Sequence, residues 1–281
     1  MEMAGTGSGQ QTKLVRPRLH VQLSLCVSLL PGYQRGTFHR LERRFTARYT
    51  MKTLGLLGGM SWESTTTYYQ EINRRVRHVQ GGLHSARCIV FSFDFAEIEE
   101  LQHAGKWEEA GALLDTAATK LKLAGADAIV LCTNTMHFVS HGIEGASQLP
   151  LIHIVDPTAD CILKAGFKSV GLLGTRFTME KDFYKARLAD KYGLRVIVPE
   201  DEGRETVHSI IYKELCNGII TEASRQAYYT IIGDLAKAGA ECLILGCTEI
   251  GLLVEEAGCP MPMFDTTKIH AIAAADWAMK D

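Results

Sequence analysis

Residues 124–133 read AGADAIVLCT, and a close copy of this stretch, AGAECLILGC, occupies residues 238–247. A second pair, GLLGGM at 55–60 and GLLGTR at 171–176, recurs at nearly the same separation. Each stretch is a short apolar run that ends in small or polar residues, as expected for a buried strand leading into a turn. Two matches in the same order, 114 and 116 residues apart, predict that the chain contains two similar halves.

Short apolar runs alternate with longer amphipathic segments over residues 51–281. We predict strands at 52–57, 86–93, 128–132, 151–154, 170–173, 195–198 and 242–245, and helices at 63–79, 107–124 and 136–146. This alternation is typical of the α/β class, in which helices cover both faces of parallel-rich sheets. Ligands bind beyond the carboxyl ends of such strands. We therefore expect two pseudo-symmetric α/β domains, 51–150 with a C-terminal helix at about 263–281 and 151–262, with the active site in the cleft between them.

The first fifty residues differ in charge from the rest of the chain. The 281 residues have a formal charge of −2, yet residues 1–50 carry eight Lys and Arg against two Glu. We expect this segment to be a disordered extension, because it shows no sustained period and Met51 directly precedes the first good strand. An organelle transit peptide is the alternative, since the segment is rich in Arg and poor in acidic residues. The acidic remainder argues against a nucleic-acid partner.

The overall composition narrows the class of protein. Apolar residues make up 46% and charged residues 22%, as in ordinary soluble globular proteins. No apolar run approaches the roughly 18–20 residues of a membrane span, so we expect no membrane association. The eight cysteines include no CxxC pair, which argues against a disulfide framework and for a cytoplasmic location. His137 and His141 could form a metal pair, but no further ligands stand at convincing spacing, so no metal is expected.

Both repeated strands end in a turn that combines Cys and Thr. The first half reads LCTNTMH over 131–137, and the second reads LGCTE over 245–249. Alignment of the repeats without gaps places Thr133 opposite Cys247 and leaves Cys132 one residue early. A thiol at a strand-to-helix turn lies near backbone N–H groups and a positive helix terminus, which lower its pKa. The alternative interpretation is that both cysteines are simply buried strand ends.

These turns, together with GGM at 58–60, resemble the aspartate/glutamate racemase family over nearly all of residues 51–281. The stretches MSWES at 60–64, TRFTME at 175–180 and EIGLLV at 249–254 look closest to a bacterial branch of broad-specificity amino-acid racemases and L-aspartate/glutamate-specific racemases. The resemblance implies an isomerase of D-amino acid metabolism that uses no pyridoxal phosphate or other cofactor. It also implies that two residues, one on each face of the substrate α-carbon, remove and return the α-proton.

The sequence departs from the family pattern at the first of these two residues. The usual turn is Cys-Asn-Thr-x-His, and its cysteine maps onto Thr133. A Thr hydroxyl can donate a proton, but it is a far weaker acid than a thiol. Its deprotonated form is therefore scarce, and the residue is a poor catalytic base. We therefore predict that Cys247 is the catalytic base and Thr133 the acid or proton relay, with Cys132 as the rival to Thr133.

Eight further residues are predicted to bind substrate: Met60, Gln102, Asn134, Thr135, Thr175, Thr178, Thr248 and Glu249. Aspartate-selective members carry an Arg after the second strand and a Lys in the second half, where this chain has the stretches 99–102 and 212–216. Gln102 is then the expected reader of the substrate side chain. Without those cations a neutral, homoserine-like amino acid fits as well as aspartate. Thr175 and Thr178 have helix capping as an alternative role.

Two other classes of function remain open. A related enzyme with the same two-turn site, such as a maleate isomerase or a hydantoin racemase, would use the same residues. A non-catalytic small-molecule-binding protein could use the same cleft between two lobes. The expected partner is a small-molecule amino-acid substrate, and a homodimer is a further expectation.

Overall fold

The computed structural model describes residues 51–280, which build two four-stranded, wholly parallel sheets. The first sheet has the order β2-β1-β3-β4 and the second the order β6-β5-β7-β8. The strands are β1 (Leu54–Gly58), β2 (Cys88–Ser92), β3 (Ala128–Leu131), β4 (Leu151–Ile152), β5 (Ser169–Gly174), β6 (Arg195–Ile197), β7 (Cys242–Gly246) and β8 (Met263–Asp265). Because the two sheets share one topology, the predicted α/β class and the internal repeat are confirmed. The predicted extension at 1–50 lies outside the described residues.

Helices join the strands and cover both faces of each sheet. They are α1 (Trp62–Gln80), α2 (Phe95–His103), α3 (Trp107–Leu123), α4 (Ile143–Ser147), α5 (Val155–Lys164), α6 (Arg176–Glu180), α7 (Asp182–Ala186), α8 (Asp201–Lys213), α9 (Glu222–Lys237), α10 (Ile250–Leu253) and α11 (Thr266–Met279). Short 3-10 segments occupy Thr135–Gly142, Leu215–Asn217 and Glu256–Gly258, and a π-helical turn occupies Arg187–Lys191. None of the helices described here is long and apolar enough to cross a membrane.

Side chains along β3 alternate between two apolar clusters, as the pleat of a strand requires. Ile129 and Leu131 pack towards α3, whereas Val130 and Cys132 pack towards α1 and α11. The strand β7 repeats this alternation in the second half. At the end of β3 this alternation turns Cys132 towards α1 and α11, and Thr133 follows it in the turn.

The chain crosses between the two halves twice. It leaves the first sheet after β4 and returns after β8, where α11 packs against α1 and closes the first half. Arg75 of α1 forms a two-pronged ion pair with Asp276 of α11, at 2.7 and 3.1 Å. The Lys52 N–H also donates to the Ala278 carbonyl at 2.9 Å. These polar contacts, together with the apolar contacts of α11 against α1, hold the last helix on the first half.

The predicted limits shift at three places. Residues 151–152 form β4, which pairs with β3, so they extend the first sheet beyond 150. Residues 263–265 form β8, which pairs with β7, so the C-terminal helix begins only at 266. The helix predicted over 136–146 is instead the 3-10 segment followed by α4, because Val139 interrupts the helical backbone.

Candidate active site

A small cavity of about 30 Å³ lies where the carboxyl ends of the two sheets face each other. Four turns supply most of its walls: those after β1 and β3 in the first half, and those after β5 and β7 in the second. The helix α2 and the end of α8 with the 3-10 segment after it supply the rest. The lining residues are Met60, Ser61, Phe95, Gln102, Thr133, Asn134, Thr135, Thr175, Ile211, Tyr212, Cys216, Gly246, Cys247, Thr248 and Glu249. The carboxyl ends of central strands thus meet at one site, as the topology predicts.

Thr133 and Cys247 both line this cavity, and each comes from a different half. Cys132 does not line it. Its side chain is fully buried in the apolar cluster beneath α1 and α11, where Sγ lies 3.7 Å from the Val130 carbonyl. Burial raises the pKa of the Cys132 thiol. The register of β3 therefore places Thr133, not Cys132, opposite Cys247.

Cys247 is a partly buried thiol whose Sγ–H donates to Oε2 of Glu249 at 3.0 Å. Burial, and then the negative charge of Glu249, raise the pKa of this thiol. The expectation that the turn lowers its pKa is wrong for the ligand-free site. The helix that follows, α10, has only four residues and so offers little positive end. Burial and the charge of Glu249 both favour the protonated thiol over the thiolate.

Glu249 has a buried carboxylate that accepts from four side chains. Ser61 and Ser64 donate to Oε1 at 2.7 and 2.9 Å. Thr248 donates to Oε2 at 2.6 Å, and Cys247 completes the set. Ser64 and Thr248 also contact each other through their hydroxyl oxygens. Glu249 was predicted to bind substrate. It does line the cavity, but its carboxylate oxygens already accept hydrogen bonds from four protein side chains.

The turn after β3 is held in the corresponding way by hydroxyl groups of the second half. The Thr135 hydroxyl lies 2.9 Å from that of Thr175 and 3.4 Å from that of Thr178. Thr175 also caps α6 by accepting from the Thr178 N–H at 3.3 Å, so the capping role exists. Thr178 is fully buried and does not line the cavity.

Asn134 joins this turn to the start of α11. Its Nδ2 donates to the Thr266 hydroxyl at 3.0 Å. Its Oδ1 is buried and has no partner among residues 51–280. Asn134 is also one of the residues that line the cavity.

Gln102 is buried at the cavity wall with both ends of its amide engaged. Nε2 donates to the Met136 sulfur at 3.1 Å, and Oε1 accepts from the Tyr212 hydroxyl at 3.1 Å. Tyr212 was not predicted as a site residue, nor were Ser61 and Cys216. A signal for Ser61 was present, because Ser61 and Ser64 have the spacing of an N-cap and its third helical residue, as Thr175 and Thr178 do after the equivalent strand.

The turn after β1 owes its shape to Gly59, which has φ of +86°. A Cβ at this position would collide with the backbone of Phe93. The Gly59 N–H donates to the Thr65 hydroxyl at 2.8 Å. Because the turn is packed this closely, the next two residues, Met60 and Ser61, lie at the cavity wall.

His137 holds the first turn in place and has no ring nitrogen left for a metal. Nδ1 donates to the Thr133 carbonyl at 2.7 Å, and Nε2 accepts from the Ile154 N–H at 3.2 Å. Burial lowers the pKa of His137, which keeps the ring neutral. Its contact with Thr133 fixes the backbone from which the Thr133 side chain enters the cavity.

Three kinds of comparison identify the family of this chain: a family model, solved structures and curated proteins. A family model described as Asp/Glu/Hydantoin racemase matches residues 57–274. The solved structure of a candidate Asp/Glu racemase from Yersinia pestis is 56% identical, with a TM-score of 0.77, and the match covers 82% of this chain and 100% of that one. An aspartate racemase homologue from Pyrococcus horikoshii is 33% identical over the same two shares, with a TM-score of 0.71.

A curated relative adds a third comparison. The broad specificity amino-acid racemase RacX of Bacillus subtilis is 23% identical over 226 residues, which cover 76% of this chain and 92% of that protein. The resemblance drawn from the strand-end turns is confirmed. The chain belongs to the Asp/Glu/Hydantoin racemase family.

Proposed function

We propose that this protein is a cofactor-independent amino-acid racemase in which Cys247 and Thr133 act on opposite faces of the substrate α-carbon. The observation that carries the proposal is that these two side chains enter one cavity from opposite halves, at equivalent positions of the repeat. Inversion without a cofactor needs a proton acceptor on one face and a donor on the other. The two-fold arrangement of the halves provides both.

In the proposed reaction Cys247 acts as a thiolate and takes the α-proton to form S–H. Thr133 gives its hydroxyl proton to the opposite face of the α-carbon, and the proton held by Cys247 then passes through solvent water to the Thr133 alkoxide, which restores both groups. Because burial and Glu249 raise the pKa of Cys247, the thiol has to release its proton to solvent before the reaction. The α-ammonium group of an amino acid supplies a positive charge beside Glu249 and Cys247, and such a charge lowers a thiol pKa. Asn134 Oδ1 is a free acceptor for the same ammonium group.

We propose a broad substrate set in which neutral side chains are favoured over aspartate and glutamate. The residues that line the described cavity include Glu249 but no Lys, Arg or His. A second carboxylate on the substrate would enter without a cationic partner and close to an existing negative charge, which is unfavourable in a buried site.

The test is exchange of the α-proton in D2O, measured from both enantiomers for a panel of amino acids. We expect Thr133→Ala and Cys247→Ala to lose at least about 100-fold in exchange rate, as removal of a general acid or base does. Cys132→Ala is the matched control and keeps its activity. Full exchange in Cys247→Ala contradicts the assignment, and a panel in which no amino acid exchanges or racemises contradicts the function.

Two arms of the experiment address the alternatives. Hydantoins belong in the panel because the family model includes hydantoin racemases. Alkylation of Cys247 by iodoacetamide, with and without each amino acid, separates binding from turnover. Protection without exchange would identify a binding protein.

We also propose a cytoplasmic location and a homodimer. The seven cysteines in the described part of the chain are all free, which fits a reducing compartment. Fractionation of cells and light scattering of the purified chain test these two statements.

A further inference from the structure

We propose that Ser61 and Ser64, named here the serine pair, are positioning residues that hold the Glu249 carboxylate as the acceptor of the Cys247 S–H proton. The inference rests on the proposed function, in which Cys247 is the base. It assigns a role in proton handling to two residues of the first half, although the thiol belongs to the second.

The geometry of the carboxylate supports this role. Each oxygen of Glu249 accepts two bonds, so the roughly four acceptor sites of a carboxylate are filled. The serine pair occupies both sites of Oε1, at 2.7 and 2.9 Å, and leaves Oε2 to Thr248 and Cys247. Rotation of the carboxylate would break several of these bonds at once. The serine pair and Glu249 are all at least 94% buried, so water does not replace the lost partners readily.

The internal repeat shows that this contact is built into the fold. Thr175 and Thr178 occupy the N-cap and third helical positions in the second half that the serine pair occupies in the first. They hold Thr135, which is the repeat equivalent of Glu249. Each half therefore supplies a pair of hydroxyl groups, from a helix N-terminus, that holds the third turn residue of the other half. Only one of the two held residues is charged, and that residue is the one beside Cys247.

The charge of Glu249 gives the arrangement its chemical effect. A carboxylate fixed at 3.0 Å from Sγ keeps the proton on Cys247 until a positive charge arrives in the cavity. Without the serine pair, Glu249 keeps only the contacts of its own turn and can swing away from Sγ. Misplacement of a catalytic group by about 1 Å costs up to about 100-fold in rate.

The test compares Ser61→Ala/Ser64→Ala with two other double variants. Ser61→Thr/Ser64→Thr keeps both hydroxyl groups, as the threonines of the second half do. Thr221→Ala/Ser224→Ala is the matched control outside the cavity. There, Thr221 caps α9, and both hydroxyls contact a carboxylate oxygen of Glu214, at 3.2 and 2.6 Å.

The first measurement is the rate at which iodoacetamide alkylates Cys247, as a function of pH, followed by mass spectrometry of the Cys247 peptide. Glu249→Gln sets the scale: below the midpoint of the profile we expect its alkylation to be faster by about tenfold, because the negative charge that raises the pKa of the thiol is gone. We expect the double-alanine variant to shift in the same direction by a smaller factor. The control and the double-threonine variant keep the profile of the unchanged protein.

The second measurement is turnover of the amino acid that racemises fastest. We expect the double-alanine variant to lose about tenfold in kcat or more, with little change in KM, and the double-threonine variant to recover it. An unshifted alkylation profile in the double-alanine variant overturns the proposal, whatever happens to kcat. Ser64→Ala alone, with a smaller shift in the same direction, serves if the double variant does not fold.

The two proposals can fail separately. Alkylation needs no turnover, so a shifted profile in a protein that racemises no amino acid supports the serine pair and refutes the racemase. A protein that racemises through Cys247 but shows the unshifted profile refutes the serine pair alone.

Discussion

His270 makes the protein less stable in mild acid, and the size of the effect follows from its surroundings. His270 belongs to the last helix, α11, and its fully buried ring faces Tyr68 of α1. Nε2 donates to the Ile152 carbonyl at 2.6 Å, and Nδ1 accepts from the Tyr68 hydroxyl at 2.8 Å. Burial lowers the pKa of His270 to about 4. Unfolding exposes the ring and restores a pKa of about 6.5.

The unfolded chain therefore binds more protons than the folded protein between about pH 6.5 and 4, and stability falls as the pH falls through this window. With these two pKa values, His270 alone lowers the free energy of unfolding by about 2 kcal/mol at pH 5 and about 3 kcal/mol at pH 4, relative to pH 7. Its contribution is independent of pH above about 7. His153, whose pKa is lowered to about 3, acts in the same direction.

The assay is denaturant unfolding of the unchanged protein and of His270→Gln at a series of pH values. Glutamine can keep both hydrogen bonds but does not titrate, so the variant should lose about 3 kcal/mol less between pH 7 and pH 4. Tyr68→Phe is the control: it removes the hydrogen bond and about 1 kcal/mol at every pH, but keeps the slope. Equal pH slopes for His270→Gln and the unchanged protein would refute the reasoning.

Three further predictions concern the turns and the helix contact. Gly59→Ala should lower the free energy of unfolding by about 1–3 kcal/mol, because the left-handed backbone and the collision with the loop after β2 both oppose a Cβ; the denaturant midpoint measures this. Asp276→Asn should cost up to about 1 kcal/mol and less in high salt, since its ion pair with Arg75 is partly exposed; unfolding at two ionic strengths checks it. Tyr212→Phe removes the hydrogen bond to Gln102 that joins the halves across the cavity, and should lower KM by up to about fivefold; a rise in KM would contradict this.

The repeat made the architecture and the facing turns predictable from the sequence. Both repeated strands are short apolar runs that end in a polar turn, as buried strands of a parallel sheet do. The separation of 114 residues identified Thr133 as the counterpart of Cys247. Several elements were not predicted individually, and β8 and α2 show why. The strand β8 is only three residues long, and α2 follows β2 after a gap of two residues, so neither presents a long periodic pattern.

The electrostatics of the site could not be predicted in the same way. The position of Cys247 at a strand end suggested a lowered pKa, but burial and then the negative charge of Glu249 raise it, and the second effect depends on where the Glu249 carboxylate points. That direction is decided by Ser61 and Ser64, which stand 185 or more residues earlier in the chain. Contacts between distant segments of this kind leave no local pattern in the sequence.

The two crossings between the halves limit how the cavity can open. The chain passes between the two sheets only at these two places in residues 51–280, so any change in the spacing of the halves has to be taken up there. One crossing follows Ile152, the other precedes α11, and the His270 bond to the Ile152 carbonyl ties them side by side. We expect two linkers joined in this way to move together rather than independently. The spacing of Thr133 and Cys247 across the cavity then depends on a single shared connection between the halves.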